Sequence, residues 1–236
     1  MTKNTWVVIA TFNERENIVK LIGTILSLPG NISVAIVDDN SPDGTAEAIN
    51  ESFGDNPRVN LIVRNNDPGY GKSMIEGFKN LLEKGAEKII TMDADWSHDP
   101  NEVPNLLKAL DNSSVALGSR YKGGARVLNW PLRRLLLSIF ANKYARTIMG
   151  VDIVDCTSGF RAYRKDFLES VNWDKVKTTG YAFLVEVLYR AYKKRFSIVE
   201  VPIVYTERRE GQSKMSNWVI WESVWVPWKL RLKIMR

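Results

Sequence analysis

The stretch Ile89-Ile90-Thr91-Met92-Asp93-Ala94-Asp95-Trp96-Ser97-His98-Asp99-Pro100 decides how the chain is read. The apolar run Lys88–Met92 has the character of a buried strand. It ends in two carboxylates one residue apart. In extended backbone, side chains i and i+2 point the same way, so Asp93 and Asp95 converge just past a strand end. In open α/β sheets that edge is where ligands bind. Two hard oxygen donors suit Mg²⁺ or Mn²⁺, whose common work is to hold a diphosphate. An isolated Asp-x-Asp is more often a solvated turn, so the flanking chain has to decide.

Upstream, Trp6–Thr11 reads as a first strand, continuously apolar as buried parallel strands are. A helix is expected over about Ile18–Leu28, ended by Pro29-Gly30-Asn31. Ile32–Val37 is a second strand that also ends in carboxylates, Asp38-Asp39, followed by the turn Asn40–Gly44. Helix Thr45–Phe53, strand Val59–Val63, helix Lys72–Lys84, the opening strand, helix Glu102–Leu110 and strand Val115–Ser119 follow. This alternation predicts a doubly wound, mostly parallel sheet. Right-handed crossovers then gather the βα loops on one edge. Glu14, Asp38, Asp39, Asp93 and Asp95 all fall in those loops.

The second half is less regular. Gly123–Pro131 reads as a loop and Leu132–Met149 as a helix of mixed leucines and arginines. Gly159–Tyr163 is a short strand, Tyr181–Lys194 a helix, and Ser197–Tyr205 a strand broken by Pro202, hence near an edge. Thr206–Lys214 is a charged loop, and Ser216–Met235 closes the chain.

With 236 residues the chain fits one large domain, or one with an appendage. Its formal charge of +6 favours an anionic partner. Cys156 is the only cysteine, so no internal disulfide forms and a reducing compartment is expected. No signal peptide and no transmembrane helix are expected.

Gly69-Tyr70-Gly71-Lys72-Ser73 lacks the earlier glycine of a P-loop, because Asn66 stands there. His98 is the only histidine, which argues against a Ser-His-Asp triad. It is expected to shape its loop or to meet a phosphate. Cys156 is expected to be a buried structural thiol. Arg120, in Gly118-Ser119-Arg120-Tyr121, falls just past a strand end. Arg208–Lys214 is a basic loop suited to charge neutralisation and closure over a diphosphate.

Seven segments stand in order: Thr11–Ile18, Val37–Thr45, Met92–Asp95, Gly118–Tyr121, Asn129–Pro131, Thr157–Ala162 and Arg208-x-x-Gly211-x-Ser213-Lys214. Together they resemble the inverting family 2 glycosyltransferases, and within these the polyprenol-phosphate (dolichol-phosphate) mannose synthases. The resemblance implies a GT-A fold over residues 1–214, GDP-mannose as donor, a polyprenyl phosphate as acceptor, and Mg²⁺ or Mn²⁺ as cofactor. It implies a nucleotide site of Ala10, Phe12, Glu14, Asp38, Asp39, Asp93, Ala94 and Asp95, and metal ligands Asp93, Asp95 and Ser97. It implies a catalytic set of Asp95, Arg120, Arg134, Arg208 and Lys214. Two positions depart from the pattern. Ala10 stands where the family often has proline, and Ser97 where some members have a glutamine ligand. Glu186 falls where relatives acting on hydroxyls carry a base, and a structural or acceptor-orienting role is expected for it here.

A lipid acceptor requires membrane contact. In residues 215–236, Trp218, Trp221, Trp225 and Trp228 follow one helical face, with Lys229, Arg231, Lys233 and Arg236 after them. Indoles favour the membrane interface, and cations favour an anionic leaflet. This segment is therefore expected to dock peripherally on the cytoplasmic face, alone or with a separate membrane subunit. Pro227 is expected to kink or end its helix. Leu132–Met149 is a second interfacial candidate. The rival readings are a UDP-glucose-dependent transferase, a metal-dependent nucleotidyltransferase and a basic RNA-binding module. No RNA-binding motif is present, so no nucleic-acid partner is expected.

Overall fold

The computed structural model describes residues 4–176, 178, 180, 182–206 and 217–232, with side chains in the last segment from Val224 onward. Tyr181, Arg208, Lys214, Lys233 and Arg236, and the side chains of Trp218 and Trp221, lie outside the described residues.

The first half alternates as its apolar periodicity dictates: β1 (Thr5–Thr11), α1 (Arg15–Leu26), β2 (Ser33–Asp38), α2 (Thr45–Phe53), β3 (Val59–Val63), α3 (Tyr70–Glu83), β4 (Lys88–Thr91), α4 (Val103–Ala109) and β5 (Val115–Ser119). Then come β6 (Val127–Leu128), α5 (Leu132–Met149), β7 (Arg161–Arg164), α6 (Lys165–Ser170), α7 (Ala182–Lys193), β8 (Ile198–Pro202), β9 (Tyr205–Thr206) and α8 (Asn217–Arg231). The main sheet has the order β3-β2-β1-β4-β7-β5-β8, and β6 pairs separately with β9. β1 is parallel to both β2 and β4. The chain moves outward from β1 to β3 and then crosses to β4 on the other side. The switch point thus lies between β1 and β4, where an open α/β sheet forms its ligand crevice.

The sheet is buried on both faces. Along β1, Trp6 and Val8 enter one core with Phe78, Phe183 and Leu188, while Val7 and Ile9 enter the other with Ile18, Leu21 and Ile22. This is the two-residue period of a strand. Helix α3 lies close on its face because Gly77 has no side chain. A Cβ there would meet Val8 Cγ2 at 2.7 Å and Val37 Cγ2 at 3.1 Å.

β7 is antiparallel to both β4 and β5, so it interrupts the parallel order at the centre of the sheet. Pro227 does not end α8, since the helix runs on to Arg231. Val226 and Leu230, on either side of that proline, are both buried in the core, and this packing holds the helix through the position. β8 is the outermost strand, as Pro202 implied. Among the described residues no helix is long and apolar enough to cross a membrane.

Candidate active site

The register Thr11↔Asp38 and Val8↔Thr91 brings the ends of β1, β2 and β4 to one edge. Their loops turn sharply there. Asn13, Asn40 and Trp96 have φ of 58°, 54° and 60°. Asparagine tolerates this left-handed backbone, but for tryptophan it is strained. Trp96 is held there by its indole N–H, which donates to Asn17 O at 3.4 Å, and by Lys20 over its ring at 5.8 Å.

Asp38 is fully buried and turned inward. It accepts from Thr11 Oγ1 at 2.7 Å, Ser41 N at 2.8 Å and Ser41 Oγ at 2.6 Å. Asp39 pairs with Arg64 and accepts from Ser73 Oγ and from Gly69 N, each at 2.8 Å. Both carboxylates therefore shape the crevice wall. Phe12 is 40% exposed and Glu14 half-buried beside them, while Ala10 is half-buried at the end of β1.

On the β4 side, Ala94 and Asp95 are buried and Asp93 is half-buried. Asp95 Oδ1 accepts from Ser97 N at 3.1 Å, which closes a turn. Gly159 sits against Asp93, and a Cβ on it would lie 3.2 Å from Asp93 Oδ1. Ser97 Oγ is buried beside Tyr205 and has no hydrogen-bond partner by geometry among the described residues. Among the described residues no group of three or more His, Cys, Asp or Glu is placed to hold a metal ion. This one turn supplies two carboxylates and a hydroxyl, from Asp93, Asp95 and Ser97. All are hard oxygens, and the unbonded Ser97 Oγ fits a Mg²⁺ or Mn²⁺ ligand set.

His98 braces this turn. Its Nδ1 accepts the Asp93 backbone N–H at 3.2 Å, so its proton resides on Nε2. The ring stacks on Phe160 with centroids 4.9 Å apart and meets Tyr205 edge-on at 5.4 Å. Burial pushes its pKa down to about 4, so it is neutral. The 3.8 Å approach of Nδ1 to Asp93 Oδ2 is therefore not an ion pair.

Beyond β5 lies a cationic cluster. Arg120 Nε and Nη2 each reach Asp155 at 2.7 Å, and Nη2 also donates to Thr157 Oγ1 at 2.7 Å. Burial opposes charge on both partners, yet each holds the other ionised: Asp155 titrates below the usual carboxylate range and Arg120 above its own. Arg120 thus faces inward, onto the 155–159 loop. Arg134, on the first turn of α5, lies over the Trp130 ring at 4.2 Å. Trp130 meets Tyr205 edge-on at 5.3 Å.

The sequence reading did not single out Asp155 or the burial of Arg161. Arg161 is fully buried and donates to three backbone carbonyls, Ser158 at 2.7 Å, Leu184 at 2.7 Å and Cys156 at 2.8 Å. It fastens the loop that carries Asp155 and Gly159. Asp155, three residues ahead of the quoted Ser158-Gly159, carried no motif of its own. Cys156 is buried, with burial pushing its thiol up to about 12, as expected of a structural thiol. Glu186 is fully buried and committed to Thr178 Oγ1 at 2.7 Å and Arg190 Nε at 2.9 Å. Lys72 pairs with Asp67.

The family model described as "Glycosyl transferase family 2" matches residues 6–171. The chain belongs to this family and is a glycosyltransferase. It is 41% identical to the polyprenol monophosphomannose synthase of Mycolicibacterium smegmatis, over 100% of this chain and 90% of that one. It is 36% identical to the undecaprenyl-phosphate mannosyltransferase of Micrococcus luteus, over 92% and 89%. It is 38% identical to the dolichol-phosphate mannosyltransferase of Pyrococcus furiosus, over 92% of this chain and 60% of that one. Glucosyl-3-phosphoglycerate synthase from Mycobacterium tuberculosis, crystallised with Mn²⁺, UDP and glucosyl-3-phosphoglycerate, superposes with a TM-score of 0.70 at 17% identity, over 97% of this chain and 80% of that one. The glycosyltransferase therefore has the GT-A fold that its sequence implied.

Proposed function

We propose that the protein transfers mannose from GDP-mannose to a polyprenyl phosphate, with inversion, to give a β-linked polyprenyl-phosphate mannose and GDP. Three relatives named for mannosyl transfer to, or synthesis on, polyprenyl lipids support the substrate class. One observation carries the reading. The arginine cluster past β5 is joined through Tyr205 to the Asp93–His98 turn, and it stands at the root of a helix that shows an apolar face to solvent.

On α5, Leu132, Leu136 and Phe140 are 69%, 57% and 66% exposed, with Ile139 and Lys143 on the same helical face. Trp225, Trp228 and Leu232, in and just after α8, are also exposed. The two helices are tied together: Trp228 Nε1 donates to Tyr144 Oη at 3.0 Å, and Tyr144 Oη donates to Val224 O at 2.9 Å. A lipid surface suits this platform. Apolar side chains enter the interface, and Arg133, Lys143, Lys229 and Arg231 meet anionic head groups, each contributing about 1 kcal/mol. We assign the platform to peripheral docking on the cytoplasmic face.

The acceptor phosphate is ionised at neutral pH, so it attacks the sugar C1 without a general base. Glu186, fully engaged by Thr178 and Arg190, suits a structural role. Arg120, Arg134, Arg208 and Lys214 offset the repulsion between acceptor and donor anions. Asp93, Asp95 and Ser97 would hold a divalent cation, which supplies positive charge to the departing diphosphate. His98 and Gly159 fix Asp93, and Phe12, Glu14, Asp38 and Asp39 form the nucleotide wall. Catalysis then rests on positioning and on electrostatic stabilisation of GDP.

Mass spectrometry of products from GDP-mannose or UDP-glucose with polyprenyl phosphate tests this. Hexosyl transfer from UDP-glucose alone would favour a glucosyltransferase, and transfer of the nucleoside monophosphate with release of a sugar 1-phosphate a nucleotidyltransferase.

A further inference from the structure

Trp130 precedes α5 in Asn129-Trp130-Pro131, and the positive φ of Asn129, 63°, sets the angle at which the chain enters it. Two guanidiniums approach the indole, Arg134 at 4.2 Å and Arg120 at 5.8 Å from the ring centroid. Tyr205 closes the group, edge-on to Trp130 and within 5.5 Å of Arg120. Within this cluster Trp130 Nε1 is shielded from solvent and has no hydrogen-bond partner among the described residues. Buried donors in native proteins are almost always satisfied, and exceptions need a reason. A donor beside the Arg134 guanidinium, with the Arg120–Asp155 pair next to it, is matched by an anionic oxygen. It rejects any cationic group and gains least from a neutral one.

We propose that the Trp130 indole N–H donates to a phosphate oxygen of the bound acceptor, so that Trp130 determines acceptor recognition alongside the arginines its ring supports. This deepens the reading above and rests on it. Two phosphates reach this region, that of the lipid and that of the nucleotide. The lipid is favoured by placement. Trp130 stands at the foot of α5, whose outer face is apolar, while Tyr205 and His98 lie between it and Asp93. The indole N–H gives direction as well as affinity. A guanidinium attracts any nearby anion, whereas a single N–H fixed by ring packing selects one oxygen position.

The test compares wild type with two changes, Trp130→Phe and replacement of Trp130 by β-(3-benzothienyl)alanine, which keeps the bicyclic ring and exchanges N–H for sulfur. KM values for polyprenyl phosphate and for GDP-mannose are measured separately, with the thermal midpoint as a check on folding. Loss of one charge-assisted hydrogen bond should raise the acceptor KM about tenfold in both variants. The donor KM and, for the isostere, the thermal midpoint should stay at their wild-type values. An unchanged acceptor KM in the isostere would overturn the proposal. A rise confined to the donor KM would assign the N–H to the nucleotide and overturn it equally. Failure of wild type to transfer mannose to the lipid would remove the underlying reading, an outcome visible before either variant is made.

Discussion

Arg120 and Asp155 form a buried two-point ion pair, Nε to Oδ2 and Nη2 to Oδ1, both at 2.7 Å. The pair joins the end of β5 to the loop that carries Gly159 against Asp93. Glu200 of β8 anchors it from behind by accepting Asp155 N at 2.9 Å and Ser119 Oγ at 2.8 Å. Asn142 of α5 anchors it from the front by accepting Cys156 N at 2.7 Å. The outward-facing helix and the sheet edge are thereby built into one rigid unit.

Breaking the pair from one side leaves a buried charge. Asp155→Ala should lower unfolding free energy by about 3–5 kcal/mol in denaturant titrations. The double change Arg120→Met with Asp155→Leu should recover most of that loss. Equal destabilisation by the double change would show that the pair's worth lies elsewhere.

His98 makes stability depend on pH. Its folded pKa of about 4 lies below the ordinary histidine value of 6.5, so between these values the unfolded chain binds the extra proton. Stability should be full above about pH 6.5 and decline as pH falls towards 4, by about 3 kcal/mol in all. Chemical denaturation across this range in chelator-containing buffer reads the slope, and His98→Gln should flatten it. Asp155 adds a further loss at lower pH, because a carboxylate held below its usual range stabilises the fold only while ionised.

Gly159→Ala tests the fit of the loop against Asp93. The added methyl at 3.2 Å from Asp93 Oδ1 must displace that carboxylate by a few tenths of an ångström. Turnover should fall about tenfold and the Mn²⁺ requirement should rise, with little change in the thermal midpoint. Wild-type Mn²⁺ dependence in the variant would show that Asp93 does not act through the metal.

The α5 platform is tested by Leu136→Glu with Phe140→Glu. Both side chains are more than half exposed, so folding should be unaffected. Sedimentation with anionic vesicles should fall more than tenfold, since each buried apolar side chain contributes about 1.5–3 kcal/mol. Undiminished binding would move the contact to another face.

The first half of the fold was legible because parallel strands buried on both faces read as unbroken apolar runs, and their turns carry Asn, Asp, Pro and Gly. Asp93 and Asp95 could be placed together at a strand end from their i, i+2 spacing, whereas Ser97 entered only through the family resemblance. β7 was harder, because Arg161-Ala162-Tyr163-Arg164 carries two arginines, one of them buried against carbonyls that no sequence pattern announces. Asp155 was silent because a buried ion-pair partner has no spacing rule. Arg120 could be placed at a strand end from sequence, but its inward turn onto Asp155 comes from tertiary packing alone. Pro227 does not stop α8 because Val226 and Leu230, packed on the core, carry the helix past it.

The most direct measurement is product analysis by mass spectrometry, with released nucleotide quantified, for wild type and Asp95→Ala given GDP-mannose, Mg²⁺ and a short polyprenyl phosphate. The account requires polyprenyl-phosphate mannose and GDP in equal amounts from wild type, and loss of turnover by at least about a hundredfold in the variant. Undiminished turnover in Asp95→Ala, or no mannosyl lipid from wild type, would contradict it.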